Sequence, residues 1–232
     1  WSRLETAFSV FPKGERTPMD LPDAGKPGGP SLCVVEKSDV NQGYLVMGHL
    51  GGRRQNPDYP VWQVMNKILG GGFTGRLFET IRTEMGLAYS VSGGYGAHFF
   101  YPGLFRVVLS TETANTAKPA RAVKEVLKGL QAEIGPAELE QAKEQFFNSL
   151  VFRYDRPEDI LFRRMVYAYR GMPPDSFRTL IREIRQTTVS EVIRAARETL
   201  SPDSLITLAV GKQAPLVQQL EAFGEVEVLP KP

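Results

Sequence analysis

An arginine and a tyrosine seven positions apart, Arg82 and Tyr89, lie in the stretch of this chain that departs furthest from a generic soluble domain. A guanidinium offers planar N–H donors to carbonyl oxygens, and a phenol can donate to an oxygen that gains negative charge. Each residue also has an ordinary interpretation. Arg82 is spaced as an exposed helical partner of Glu79, and Tyr89 as a strand residue packed beside Leu87 and Val91.

A glycine-rich stretch precedes this corner, and we call residues 70–75 the glycine loop. Its glycines are Gly70, Gly71, Gly72 and Gly75. Because glycine tolerates positive φ and lets another backbone approach closely, we predict a tight turn there. A short helix should follow, with Leu77, Ile81 and Met85 on one apolar stripe and Gly86 at its end. From Leu87 the apolar period changes to two, which predicts a strand and places Arg82 and Tyr89 on either side of a helix-to-strand corner.

Nucleotide and metal chemistry find no support in the sequence. The glycine loop has the spacing Gly70-x-Gly72-x-x-Gly75 of a dinucleotide fingerprint, but the element predicted before it is a helix and not a strand. The two histidines, His49 and His98, have no second histidine or glutamate at metal-ligand spacing, so we expect structural or surface roles for both. No G-x-S-x-G nucleophile motif is present either. We expect the chain to bind no cofactor and to be inactive as an enzyme on its own.

The composition also bears on possible partners. The 232 residues carry a formal net charge of +2, which gives no electrostatic case for nucleic acid or an anionic membrane. Arginines are frequent between residues 153 and 185, but acidic residues dilute them, and we interpret them as a solvated face over an aromatic core edge. No apolar run reaches the roughly 18 residues of a membrane span. We expect no nucleic acid partner and no membrane insertion, and both a cytoplasmic and a periplasmic location of bacterial type stay open.

Short apolar runs and turn residues predict the order of the elements. Residues 1–30, with five prolines and four glycines, read as a linker with little regular structure. Strands are predicted over 32–35 and 44–50 as antiparallel neighbours, over 87–95 and 103–111 as a hairpin, and over 205–210 and 226–229. Helices are predicted to begin near Asp58, Thr74, Ala117, Pro136, Pro157, Asp175 and Val189, with a short one over 216–223.

Strands that come first in antiparallel pairs, followed by a series of helices, are typical of an α+β fold. We predict a mostly antiparallel sheet with helices packed on one face. Residues 31–232 should form a single domain behind the linker.

The stretch Ile68-Leu69-Gly70-Gly71-Gly72-x-x-x-Arg76-Leu77-Phe78-x-x-x-Arg82-x-x-x-Gly86-Leu87-Ala88-Tyr89-Ser90-Val91 resembles a known family. It is similar to the pitrilysin and insulinase-type zinc metallopeptidases, which include mitochondrial processing peptidase. The resemblance extends over nearly the whole chain beyond the linker.

In that family two similar α+β halves form a clam around a chamber, and the first half carries an inverted zinc motif, H-x-x-E-H, with a distal glutamate. This sequence resembles the second half. The resemblance implies that Arg82 and Tyr89 reach across the chamber to the peptide substrate at the zinc site. We expect the two residues to lie close together on a concave surface lined by the glycine loop. The glycine loop is a further candidate for contact with the opposing half.

The resemblance therefore implies a non-catalytic, substrate-binding half of a zinc metallopeptidase that degrades or processes peptides. The zinc is expected in a partner half, either upstream on the same polypeptide or on a separate subunit. Trp1 in place of methionine, with the linker behind it, favours the upstream half. The alternative is a non-catalytic scaffold of the same fold, like the processing-peptidase relatives in respiratory complexes. The presence of Arg82 and Tyr89 argues against the scaffold.

Overall fold

The structure is a computed structural model and describes residues 2–12, 14, 25 and 31–230. The first element is a helix, α1 (Ser2–Phe8), none of whose residues is buried. The prediction of little regular structure in the linker is therefore wrong for this stretch. The physical reason is local: the prolines and glycines that predict a linker begin at Pro12, and residues 2–8 contain neither. Most of the remaining linker lies outside the described residues.

Six strands form the main sheet, and a pair of two-residue strands lies beside it. In chain order the strands are β1 (Leu32–Glu36), β2 (Gln42–Leu50), β3 (Gly52–Arg53), β4 (Ser90–Tyr95), β5 (Ala97–His98), β6 (Leu104–Glu112), β7 (Ile206–Gly211) and β8 (Glu227–Leu229). The main sheet has the order β4-β6-β2-β7-β1-β8, and β3 pairs with β5.

Three of the five pairings in the main sheet are antiparallel, which confirms a mostly antiparallel sheet. These are β4 with β6, β6 with β2, and β2 with β7, while β1 runs parallel to both β7 and β8. The predicted hairpin of β4 and β6 is confirmed. The prediction that β1 and β2 are neighbours is wrong, because β7 lies between them. A short connection shows that two strands are near each other, but the pairing depends on which strand completes the buried face.

The helices are α2 (Tyr59–Gly70), α3 (Ala117–Ala132), α4 (Pro136–Arg153), α5 (Pro157–Tyr169), α6 (Ser176–Gln186), α7 (Val189–Thr199) and α8 (Gln213–Leu220). A π-helical segment covers Phe78–Glu84. Each predicted helix begins within a few residues of its expected start. Within the described ranges, no helix combines the length and the apolar character needed to cross a bilayer.

The core lies between the helices and one face of the sheet. Burial alternates along each central strand, as expected when one face is covered. The buried strand residues on the helix side are Val34, Leu45, Met47, Val107, Leu109 and Ala209. The alternate positions point away from the helices, and we call this side the open face. Its residues on the three central strands are Tyr44, Val46, Gly48, Leu104, Arg106, Val108, Ile206, Leu208 and Val210.

Candidate functional site

The glycine loop sits against the edge strand β4. A Cβ atom added at Gly70 would lie 2.2 Å from the carbonyl oxygen of Gly93, so only a glycine fits this approach. Gly72 has φ of +87°, a left-handed conformation that side chains disfavour. Both predicted uses of glycine, close approach and positive φ, are therefore found in this loop.

The helix after the loop is wider than predicted. Its Met85 N–H donates to the Thr80 carbonyl oxygen at 3.0 Å, which is a bond across five residues. Leu77 and Ile81 are fully buried, but Met85 is 47% exposed. The prediction that Met85 shares their stripe is wrong, because positions four apart no longer align on a π-helix. Gly86, with φ of +63°, ends the segment as predicted.

Arg76 holds this segment to the helices behind it. Its Nε and Nη2 atoms donate to the two carboxylate oxygens of Glu138, each at 2.7 Å, and Nη2 also donates to the carbonyl oxygen of Glu133 at 2.8 Å. A bidentate pair of this kind fixes orientation as well as distance. The sequence alone assigned Arg76 no role beyond its place in the family-like motif. That place was the available signal that Arg76 makes a specific contact.

Arg82 lies on the exposed side of the π-helical segment. Its guanidinium carbon is 4.8 Å from the centre of the Phe78 ring, and Phe78 packs edge-to-face on Phe73 with ring centres 5.0 Å apart. This cation–π stack orients the side chain without occupying its N–H donors. In the part of the chain that the structure describes, Arg82 makes no ion pair with Glu79.

Tyr89 lies at the other end of the corner, one residue before β4. The predicted strand start at Leu87 is therefore three residues too early. The Tyr89 backbone N–H donates to the Ser110 carbonyl oxygen at 2.9 Å, which anchors it to the sheet. Its side chain is 59% exposed, and its hydroxyl bonds to no other described residue. Both side chains are accessible, and the described residues show no direct contact between them.

A hollow of about 770 Å³ adjoins Gly70 and Gly71 between α2 and the end of β4. Asn66 closes one wall, since its amide both donates to the Tyr95 carbonyl oxygen (2.9 Å) and accepts from the Tyr95 N–H (2.6 Å). Arg82 and Tyr89 are not among the residues that line this hollow. A concave surface shared by the glycine loop and both side chains stays a prediction for the assembled protein.

The open face carries a feature that the sequence analysis missed. An apolar groove of about 400 Å³ runs over it, lined in part by Val46, Ile206 and Leu208. Arg106 lies in this groove between two glycines in register, Gly48 on β2 and Gly94 on β4. No described residue forms an ion pair with Arg106. Strand alternation was the available signal, because Arg106 falls between Leu104 and Val108 on the same face.

Neither histidine is placed to bind a metal. His49 Nδ1 is 2.7 Å from the Leu50 carbonyl oxygen, and Nε2 accepts from the Ser201 N–H at 3.3 Å, so both ring nitrogens bond to the backbone. The His98 ring stacks on Tyr101 with centres 5.0 Å apart. Over residues 2–12, 14, 25 and 31–230, no three side chains among His, Cys, Asp and Glu are grouped as metal ligands. The described residues therefore do not fit a zinc ion.

The fold and the glycine corner together define an α+β domain with a mostly antiparallel sheet and helices on one face. Residues 2–146 match the family model for the Peptidase M16 inactive domain, and the chain therefore belongs to the M16 peptidase family. The resemblance to pitrilysin and insulinase-type peptidases is thereby confirmed. The match begins at residue 2, so it includes the stretch that was predicted to be an uninformative linker.

Similar proteins come from several bacteria. A Helicobacter pylori protein described as the non-peptidase homolog YmxG is 34% identical over 195 residues, covering 82% of this chain and 44% of that protein. An uncharacterized zinc protease of Rickettsia bellii is 31% identical over 148 residues, covering 63% and 34%. The chain thus spans less than half the length of these relatives.

A solved structure supports the same assignment. The crystal structure of a peptidase M16 inactive domain from Pseudomonas fluorescens aligns with a TM-score of 0.73 at 25% identity, covering 84% of this chain and 47% of that one. The alignment reaches well beyond residue 146, where the family model ends. The shared fold therefore includes part of the chain that follows residue 146.

Proposed function

We propose that this chain is the non-catalytic, substrate-binding half of a zinc metallopeptidase, with residues 31–232 as one domain. The observation that carries the proposal is the corner itself. Arg82 and Tyr89 lie at its two ends, both exposed, and no described residue forms a hydrogen bond or an ion pair with either side chain. Donors held in place without partners are what a site for peptide oxygens needs.

The two side chains are suited to different tasks. The guanidinium of Arg82, oriented by the Phe78 ring, offers a planar pair of donors to the carbonyl oxygens of a bound peptide. Its role is to position the peptide. The hydroxyl of Tyr89 donates one hydrogen bond to the oxygen of the scissile carbonyl as that oxygen becomes negative, a contact that strengthens in the transition state.

The open face supports peptide binding by a second route. Its groove is apolar, its lining residues all come from strands, and Arg106 lies within it. An extended peptide can bury alternate apolar side chains there while Arg106 attracts a carbonyl or an acidic group. We infer that this face is turned toward the substrate.

The zinc must be supplied from outside the described residues, since these do not fit the ion. When bound, zinc activates water for attack on the peptide carbonyl. The relatives are about twice as long as this chain, which favours a zinc-bearing half upstream on the same polypeptide. A separate zinc-bearing subunit is the other arrangement.

The test is a kinetic comparison in the assembled enzyme, made by combining this chain with its H-x-x-E-H half. Arg82→Ala should raise KM and lower kcat together, because a positioning guanidinium acts in the ground state and the transition state alike. Arg82→Lys should restore little, since an ammonium lacks the planar fork. Arg164→Ala, which removes an exposed arginine from α5, is the matched control and should leave both constants unchanged. Equal kinetics for the Arg82 and Arg164 variants would contradict the positioning role.

A scaffold without a peptidase role is the second candidate function. The observation in its favour is that the Helicobacter pylori relative is described as a non-peptidase homolog. The two functions differ in one measurable respect. A scaffold retains its assembly when Arg82 is replaced and shows no peptidase activity with any partner half, whereas the peptidase half loses activity and keeps its assembly.

A further inference from the structure

Two arginines from distant parts of the chain meet on one aromatic ring, far in sequence from Arg82 and Tyr89. Arg54 follows β3, and Arg170 directly follows the last residue of α5. Their guanidinium carbons lie 4.9 Å and 5.2 Å from the centre of the Phe99 ring, so the two charges are at most 10.1 Å apart. Arg170 also stacks on Phe100 at 3.7 Å. We call these four residues the arginine–phenylalanine cluster.

The described carboxylates form no ion pair with this cluster. Within the described ranges neither arginine forms an ion pair. Arg54 donates to two phenol oxygens, those of Tyr59 at 2.7 Å and Tyr167 at 3.1 Å. These contacts orient the guanidinium and leave its charge uncompensated. Like charges held this close repel each other unless an anion or solvent lies between them.

Three guanidinium nitrogens of the cluster are buried without an acceptor. They are Nε of Arg54 together with Nε and Nη1 of Arg170. A buried donor that lacks an acceptor is costly, and such groups in native proteins normally bond to something. The Tyr167 hydroxyl accepts from Arg54 and keeps its own O–H to donate. Several donors of the cluster therefore have no acceptor among the described residues.

Arg54, Arg170 and Tyr167 line one cavity of about 440 Å³ between the starts of α2 and α6 and the end of α5. The remainder of its wall is mixed, and Pro60, Met172 and Leu180 supply apolar surface to it. Its acidic residues, Asp175 and Glu183, are exposed, and neither is an ion-pair partner of Arg54 or Arg170. The cavity thus combines a donor-rich end with a partly apolar wall.

We propose that this cavity binds a small organic carboxylate. The carboxylate oxygens accept from Arg54 and Arg170, and the apolar body of the ligand lies against the wall formed by Pro60, Met172 and Leu180. The carboxylate can belong to a free acid or to the C-terminus of a peptide with an apolar last residue. The proposal is independent of the proposed peptidase role, because it involves neither Arg82, Tyr89 nor the open face.

The test is calorimetric titration of the 232-residue chain with benzoate, with a peptide ending in phenylalanine as the free acid, and with the same peptide as the amide. Saturable benzoate binding is expected, and benzyl alcohol, which lacks the charge, should not compete. Tighter binding of the peptide acid than of benzoate identifies a peptide C-terminus as the source of the carboxylate, and the reverse order identifies a free acid. Binding of the amide as tightly as the acid would overturn the proposal.

Variants separate the arginines from the apolar wall. Arg170→Gln should weaken benzoate binding at least tenfold, and it removes no hydrogen bond from the described structure. Arg54→Gln should do the same, but it also loses two bonds to phenols, so circular dichroism must first show that it is folded. Arg164→Gln, on the exposed side of α5, is the matched control and should bind like the wild type. Equal binding by the Arg170 and Arg164 variants, or no saturable heat with the wild type, would overturn the proposal.

Discussion

Replacing Gly70 by alanine tests how the glycine loop is seated. The new Cβ would lie 2.2 Å from the carbonyl oxygen of Gly93, about 1 Å closer than van der Waals contact permits, and the obstructing atom is backbone that cannot rotate away. Overpacking of this kind costs about 1–3 kcal/mol. Alanine in a helix is more favourable than glycine by about 0.5–1 kcal/mol in the free energy of unfolding, which offsets part of this cost. The mid-range values leave a net loss of about 1 kcal/mol, which lowers Tm by about 2–4 °C for a chain of this size.

Gly129→Ala is the matched control, because Gly129 also lies in a helix, α3. A Cβ there would meet only a side-chain nitrogen of Arg76 at 3.7 Å, an ordinary contact. This variant should gain about 0.5–1 kcal/mol in the free energy of unfolding. Urea unfolding followed by circular dichroism measures both variants. If Gly70→Ala were as stable as Gly129→Ala, the loop would not be packed against β4 as described.

Three further predictions concern stability. The Arg76–Glu138 pair is bidentate and largely buried. A double-mutant cycle of Arg76→Ala and Glu138→Ala, measured by urea unfolding, should therefore give a coupling energy of about 1–3 kcal/mol. Additive effects of the two substitutions would contradict a direct interaction between these side chains. The hydrogen bond from Arg194 lowers the pKa of Asp58. A lowered folded-state pKa gives stability that is present above the ordinary aspartate pKa of about 3.9 and is lost as the pH falls through the folded-state pKa. Asp58→Asn should therefore flatten the acid limb of a Tm–pH curve measured by calorimetry. An acid limb identical to that of the wild type would contradict this prediction. Thr188 caps α7 in a capping box, so Thr188→Ala should cost about 1 kcal/mol in thermal unfolding, and no loss would show that the cap is dispensable.

Most helices and strands could be predicted, because the residues that start, end and orient them are close together in the sequence. Proline and capping residues set the helix starts, and apolar alternation sets the strands. The insertion of β7 between β1 and β2 could not be predicted, because residues 32–50 carry no local signal for pairing with a strand more than 150 residues later. The exposure of Met85 was also hidden, because a π-helix and an α-helix share the same residue preferences.

The candidate site divides in the same way. Arg82, Tyr89 and the glycines could be identified because their spacing is local to one corner. The roles of Arg76 and of the arginine–phenylalanine cluster could not be identified, because their contacts join separate elements. Arg76 bonds to Glu138 on α4, and Arg54 and Arg170 meet at Phe99. Arg106 is an intermediate case, visible by strand alternation once β6 and its open face are known.

The most direct test of the proposed function is the turnover of a Tyr89→Phe variant in the enzyme assembled with its zinc-bearing half. The change removes one hydroxyl donor and little else, so folding should barely change. If that hydroxyl supports the oxyanion, kcat should fall on the order of a hundredfold. Tyr169→Phe, which removes another exposed hydroxyl, at the end of α5 and away from the open face, is the control and should keep wild-type turnover. Wild-type kcat for Tyr89→Phe, in a preparation that a change of the zinc-motif glutamate inactivates, would contradict the proposed role of Tyr89 and favour the scaffold.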